Sequence, residues 1–209
     1  MRARRRLRGP EALVAALRRH IGDERVLDAI AAVPRDRFVP PELRDHAWDN
    51  GPLPIGAGQT ISQPLVVARM CELLALTGRE TVLDVGTGSG YHAALLALLA
   101  ARVISIERHA SLSEQAAENL RAAGIEGVEL IVGDGRAGHP PAAPYEAINV
   151  AAATADIPAA LEAQLAPGGR MVIPAGDDQR LVLVRRQDGR TVRDALERVR
   201  FVPLERGTP

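Results

Sequence analysis

The residues most able to do chemistry lie in Thr81-Val82-Leu83-Asp84-Val85-Gly86-Thr87-Gly88-Ser89-Gly90. Val82, Leu83 and Val85 read as a buried strand, and an Ala- and Leu-rich helix is expected from Tyr91 to Ala101. Between them, Gly86, Gly88 and Gly90 can expose backbone N–H groups to a ligand at a helix N-terminus. The spacing Gly-x-Gly-x-Gly puts Tyr91 where a dinucleotide fingerprint has its third glycine, which argues against hydride transfer. Glu107 ends the next apolar run, twenty-one residues after Gly86, where a carboxylate can accept from both hydroxyls of a ribose. Asp134, followed by Gly135, stands after a third run, Val128 to Val132.

These residues need a sheet to position them. Strands are expected at 81–85, 103–107, 128–132, 145–150 and 170–174, with helices at 63–76, 111–123 and 157–165 between or before them. That alternation predicts a doubly wound, mostly parallel sheet. Leu181 to Arg186, the turn Gln187-Asp188-Gly189-Arg190, and Val192 to Leu204 predict a C-terminal antiparallel hairpin. Helical spacing over 11–20 and 23–33 predicts an N-terminal helical cap. Asp49 to Ser62 is dense in Gly and Pro and reads as a long functional loop.

Asp84, the glycine turn, Glu107 and Asp134 together resemble the class I S-adenosyl-L-methionine (AdoMet)-dependent methyltransferases. The resemblance implies AdoMet as cofactor. It places the methionine part on the turn (Asp84, Gly86, Thr87, Gly88, Gly90), the ribose on Glu107 and the adenine beside Asp134 and Gly135. A narrower likeness follows from Arg35-Asp36-Arg37-Phe38-Val39-Pro40, Ala47-Trp48-Asp49-Asn50, Gly58-Gln59-Thr60-Ile61-Ser62-Gln63-Pro64 and Arg200-Phe201-Val202-Pro203-Leu204. These segments resemble the protein-L-isoaspartate O-methyltransferase family, colinearly from about Leu13 to Leu204.

That likeness implies methylation of the isoaspartyl α-carboxylate in damaged proteins and peptides, with Ser62 catalytic. Thr60 and Ile61 belong to the substrate loop, and Val202 and Pro203 to a framing C-terminal strand. Ser62 before Gln63-Pro64 also reads as a helix N-cap. Leu65-Val66, Ala151 to Asp156 and Tyr145-Glu146 depart from the family pattern and are expected near the substrate side. Two other functions stay open. One is a dedicated peptide aspartate methyltransferase, whose relatives often carry an added C-terminal region that is not expected after Pro209; the other is a non-catalytic AdoMet-binding protein.

Composition bounds the rest. The 209 residues suit one domain, with a disordered basic arm at 1–10, helices and substrate loop at 11–62, and the Rossmann-like core at 63–209. Net charge is zero, so neither nucleic acid nor an anionic membrane is an expected partner, and a monomer is expected. All 26 basic residues are arginine, which excludes lysine chemistry. Cys71 is the only cysteine and reads as a core residue, consistent with a reducing, cytoplasmic setting. The five histidines have no ligand-like spacing, and no metal is expected.

Overall fold

The computed structural model describes residues 8–208, so most of the expected basic arm lies outside the described residues. Two helices open the chain, α1 (Pro10–Leu17) and α2 (Glu24–Ala32). Asp23 caps α2 by accepting from the Arg25 amide, and Val26, Leu27 and Ile30 form its buried stripe. Short 3-10 segments at Arg35–Phe38 and Pro41–His46 follow.

The stretch expected as loop contains a short antiparallel ribbon, β1 (Leu53–Gly56) and β2 (Gln59–Ile61). Sequence alone hides it because four- and three-residue strands carry too little alternation. Ala57 and Gly58 form its two-residue turn with φ of 49° and 69°. Helix α3 (Pro64–Leu74) leads to the core strand β3 (Thr81–Val85).

After β3 come α4 (Tyr91–Leu99), β4 (Arg102–Glu107), α5 (Ala110–Ala122), β5 (Val128–Val132) and β6 (Tyr145–Val150). Helix α6 is only Ala159–Ala163, shorter than expected, because Leu165 already begins the eleven-residue strand β7 (Leu165–Ala175). Strands β8 (Arg180–Gln187) and β9 (Arg190–Arg198) close the sheet through a turn at Asp188 and Gly189, both with positive φ. The order is β5-β4-β3-β6-β7-β8-β9, parallel through β7 and antiparallel thereafter.

The last strand is shorter than expected. Residues 199–204 leave the sheet and cross the strand ends, with Val202 O accepting from Ala153 N at 2.8 Å and Pro203 bridged to Ala153. The Phe201 amide is taken by Gln179 Oε1, and Pro203 has no N–H to extend a ladder. Val202 and Pro203 therefore sit on a strap rather than in a strand.

Alternate strand residues feed two apolar layers. Val82, Val103, Ala147 and Val172 pack under α1 to α4, whereas Leu83, Ile104, Ile148 and Ile173 face α6. The crevice follows from topology, since the chain winds outward to β5 from one side of β3 and to β7 from the other. Loops after β3 and β6 diverge there and leave an opening at the strand C-termini.

Gly90 sets the entry to α4 with φ of 88°, and an added Cβ would lie 3.3 Å from the Ala116 methyl. Gly90→Ala should lower the free energy of unfolding by about 1–3 kcal/mol. Urea denaturation measures this; an unchanged midpoint would mean that the turn has a second, unstrained path.

Candidate active site

The amides of all three glycines in the turn are committed within the protein rather than exposed to a ligand as expected, Gly88 N to Glu107 and Gly90 N to Thr87 O at 2.8 Å. Gly86 N donates to Ile106 O at 2.8 Å, and Gly86, Gly88 and Gly90 all have positive φ. Glu107 braces it further, its Oε2 accepting from Gly88 N at 2.9 Å and its Oε1 from His109 N at 3.0 Å. Each carboxylate oxygen keeps a second lone pair. Gly86, Thr87, Gly88, Glu107 and Gly135 line one cavity with Ile61 and Ser62. Gly135 packs so closely that an added Cβ would lie 2.5 Å from Val85 Cγ1.

Asp84 and Gly90 lie behind that wall, as does Asp134. The Asp134 carboxylate accepts from Arg136 N at 2.9 Å and from Gly207 N at 2.8 Å, tying down the end of the strap. Sequence reasoning missed Arg108 and His109, which also line the cavity. His109 Nε2 is buried with no hydrogen-bond partner among the described residues. Their position just after the strand-end acid was the available signal.

A second cavity, lined by Pro52, Gln63, Val66, Arg200 and Phe201, meets the first across Thr60, Ser62, Ala151 and Val202. Ser62 is not the N-cap of α3: Gln63 occupies that position without a side-chain capping bond. The Ser62 hydroxyl has no hydrogen bond to any described residue and stands in the shared wall. Of the departures from the family pattern, Val66 and Ala151 do border this region. Tyr145-Glu146 does not, because it begins β6 at the opposite, N-terminal end of the parallel strands, where Glu146 Oε2 accepts from Thr81 N at 2.8 Å.

Beneath the turn lies a buried polar layer. Asp84, Ser105 and Asn149 are register partners on three adjacent strands, with Ser105 Oγ and Asn149 Nδ2 each donating to Asp84 at 2.7 Å. Thr87 Oγ1 lies 2.6 Å from Ser105 Oγ, which connects the layer to the turn. His92 stands 3.1 Å from Asn149 Nδ2 through Nδ1 and 3.4 Å from Cys71 Sγ through Nε2. Cys71 is a buried core residue, as expected, and desolvation pushes its thiol pKa up.

The residues present fit AdoMet. Free lone pairs on the Glu107 carboxylate, the close approach that Gly135 permits at the cavity wall, and the buried Asp84 carboxylate beneath the turn suit a cationic nucleoside. A doubly wound sheet with this turn and acid at its switch point defines a class I AdoMet-dependent methyltransferase. A model of the protein-L-isoaspartate(D-aspartate) O-methyltransferase family matches residues 8–208, and the chain belongs to that family.

The protein-L-isoaspartate O-methyltransferase of Methanoculleus marisnigri is 52% identical over 188 residues, covering 89% of this chain and 86% of that one. Protein-L-isoaspartate O-methyltransferase 2 of Marinobacter nauticus is 51% identical over 197 residues, covering 91% and 90%. A solved protein-L-isoaspartate O-methyltransferase of Plasmodium falciparum, in complex with S-adenosyl-L-homocysteine, superposes with a TM-score of 0.82. It is 26% identical and covers 95% of this chain and 99% of that one. The protein is thus an AdoMet-using methyltransferase of isoaspartyl residues, the reaction that begins their repair. Among the described residues, no helix is long and apolar enough to cross a membrane.

Two groups near the turn link protonation to folding with opposite signs. Burial drives the His92 pKa from 6.5 down to about 3, so the unfolded chain binds more protons between those values. Its contribution to stability is present above pH 6.5 and lost as pH falls toward 3. Burial pushes Asp84 from 3.8 up to about 6, only partly offset by the bonds from Ser105 and Asn149. Its contribution is present below pH 3.8 and lost as pH rises to 6. Between about pH 4 and 6 the two oppose each other. Replacing the imidazole in His92→Gln should therefore make the wild-type-minus-variant stability difference grow by up to about 1.4 kcal/mol per pH unit across that range. Urea titrations at several pH values would detect it; a constant difference would remove His92 from the linkage.

Proposed function

We propose that Ser62 orients the isoaspartyl carboxylate for methyl transfer at the junction of the two cavities, as part of a repair enzyme of broad peptide specificity. The supporting observation is the uncommitted Ser62 hydroxyl in the wall that both cavities share. The cofactor side is assigned to Gly86, Thr87, Gly88, Glu107 and Gly135, with Asp84 supporting the turn from below and Gly90 setting its conformation. Asp134 reaches the adenine amino group by exchanging its contact with Gly207. The peptide side is assigned to Thr60, Ile61, Val202 and Pro203.

When bound, AdoMet supplies a methyl group activated by a sulfonium. A substrate α-carboxylate has a reference pKa of about 3.5, so it is already a nucleophilic anion near neutrality and needs no general base. The protein's task is orientation and exclusion of water. Opposite charges disappear as the ester forms, so a weak hydroxyl donor suits the carboxylate better than a clamping cation. The following backbone nitrogen of the product then attacks the ester carbonyl, expels methanol, and closes a succinimide that water opens in part to aspartate.

A cytoplasmic monomer of one domain, with 11–62 as the substrate-side cap on the 63–209 core, completes the proposal. The apolar cluster that α1 and α2 share with the sheet supports the single domain, and the buried free thiol of Cys71 supports a reducing compartment.

Ser62→Ala should retain affinity for S-adenosyl-L-homocysteine and lose about ten- to a hundredfold in kcat, corresponding to a charged hydrogen bond of about 1.5–3 kcal/mol. Calorimetry with the product cofactor and initial rates on an isoaspartyl peptide measure the two quantities. Full activity in a folded variant would remove Ser62 from the reaction.

Unrelated short isoaspartyl peptides should all be methylated, while their aspartyl counterparts are not, because moving the carboxylate by about an ångström spoils the alignment. A peptide panel scored by methanol release tests this. Activity confined to one sequence, or equal methylation of aspartyl forms, would favour a dedicated peptide-tailoring enzyme.

A further inference from the structure

Arg35 is fully buried, yet it makes no salt bridge among the described residues. Its guanidinium instead donates to three backbone carbonyls: Nη1 to Ala47, and Nη2 to Gly51 at 3.3 Å and Ser62 at 3.0 Å. Gly51 and Ser62 are the two ends of the segment that carries β1, β2 and Thr60. The same guanidinium carbon stands 5.5 Å from the centre of the Tyr91 ring, and Phe38 meets that ring edge-on at 5.6 Å. Tyr91 begins α4 directly after the glycine turn and lines the cofactor cavity.

We propose that Arg35 is a positioning residue for methyl transfer, pinning both ends of the 51–62 loop so that Ser62 is registered against the helix that follows the cofactor turn. The physical case rests on cost. An unpaired guanidinium in an apolar interior is expensive, and three loop carbonyls with an aromatic face are what this site supplies in compensation. Burial lowers the Arg35 pKa to about 10, so the side chain remains cationic near neutrality despite its surroundings. Only a planar fork can reach carbonyls at residues 47, 51 and 62 together; an ammonium offers one point charge. Arg35 lines neither cavity and acts through the wall residues Ser62 and Tyr91 that it contacts.

The proposal rests on Ser62 lying on the substrate side. Ser62→Ala in the otherwise native protein tests that reading separately, so its failure would be seen before any Arg35 variant is made. Arg35→Lys and Arg35→Gln should each lower kcat on an isoaspartyl peptide ten- to a hundredfold per cofactor-binding site, because a shift of about an ångström is enough. Affinity for S-adenosyl-L-homocysteine, measured by calorimetry in the same samples, should stay within about threefold. Combining Arg35→Lys with Ser62→Ala should reduce kcat by little more than Ser62→Ala alone, since both changes remove one function. Two results would overturn the proposal: kcat per binding site within twofold of wild type in either folded variant, or fully multiplicative losses in the double variant. If the lysine variant does not fold, the glutamine variant carries the same comparison.

Discussion

Most polar side chains that this fold drives into its interior find a hydrogen-bond partner there, and those partners shape the active site. A parallel sheet covered on both faces has no water to offer a buried carboxylate or guanidinium. Asp84 sits under the glycine turn with Ser105 and Asn149 donating to it from the neighbouring strands, and Ser105 passes the connection to Thr87. Arg35 meets α4 at the Tyr91 ring and donates from Nη1 and Nη2 to loop carbonyls. The cofactor turn and the substrate loop are thus each anchored to a buried polar group, and α4 stands between the two anchors.

Electrostatics fits the chemistry of joining an anion to a cationic methyl donor. The cofactor side presents Glu107, which supports the turn through Gly88 while keeping lone pairs free, with Asp84 below it. Beside the 51–62 loop the buried cation is Arg35, whose Nη1 and Nη2 donate to carbonyl oxygens while its Nε has no hydrogen-bond partner among the described residues. Those dipoles take up its charge, and in the proposed reaction the carboxylate meets the Ser62 hydroxyl and not a bare guanidinium. Strong ground-state pairing would have stabilised the charge that the reaction removes.

The strap at 199–207 adds closure. It leaves β9, places Val202 in the wall between the cavities and reaches Asp134 through the Gly207 amide. Arg136 Nη1 donates to Leu204 O at 3.2 Å, and Arg108 pairs with Glu205, so both sides of the cofactor crevice hold the strap down. The two cavities therefore share a boundary made from chain segments far apart in sequence.

The sequence by itself determined the parts that depend on local pattern. Strands at 81–85, 128–132 and 145–150 have the bounds their apolar runs predict, the glycine turn falls where its spacing says, and Glu107 ends its strand facing the cavity. The Gly58 to Pro64 motif likewise marked the family, because its residue types are specific enough to recognise without coordinates. Tertiary structure decided the rest. Arg35 is one arginine among 26, and nothing local distinguishes it from a solvated charge; its partners lie 12, 16 and 27 residues away. The polar layer exists only because strand register brings Asp84, Ser105 and Asn149 side by side. Periodicity encodes which face of an element is buried, but it does not say which distant carbonyl or strand will be waiting there.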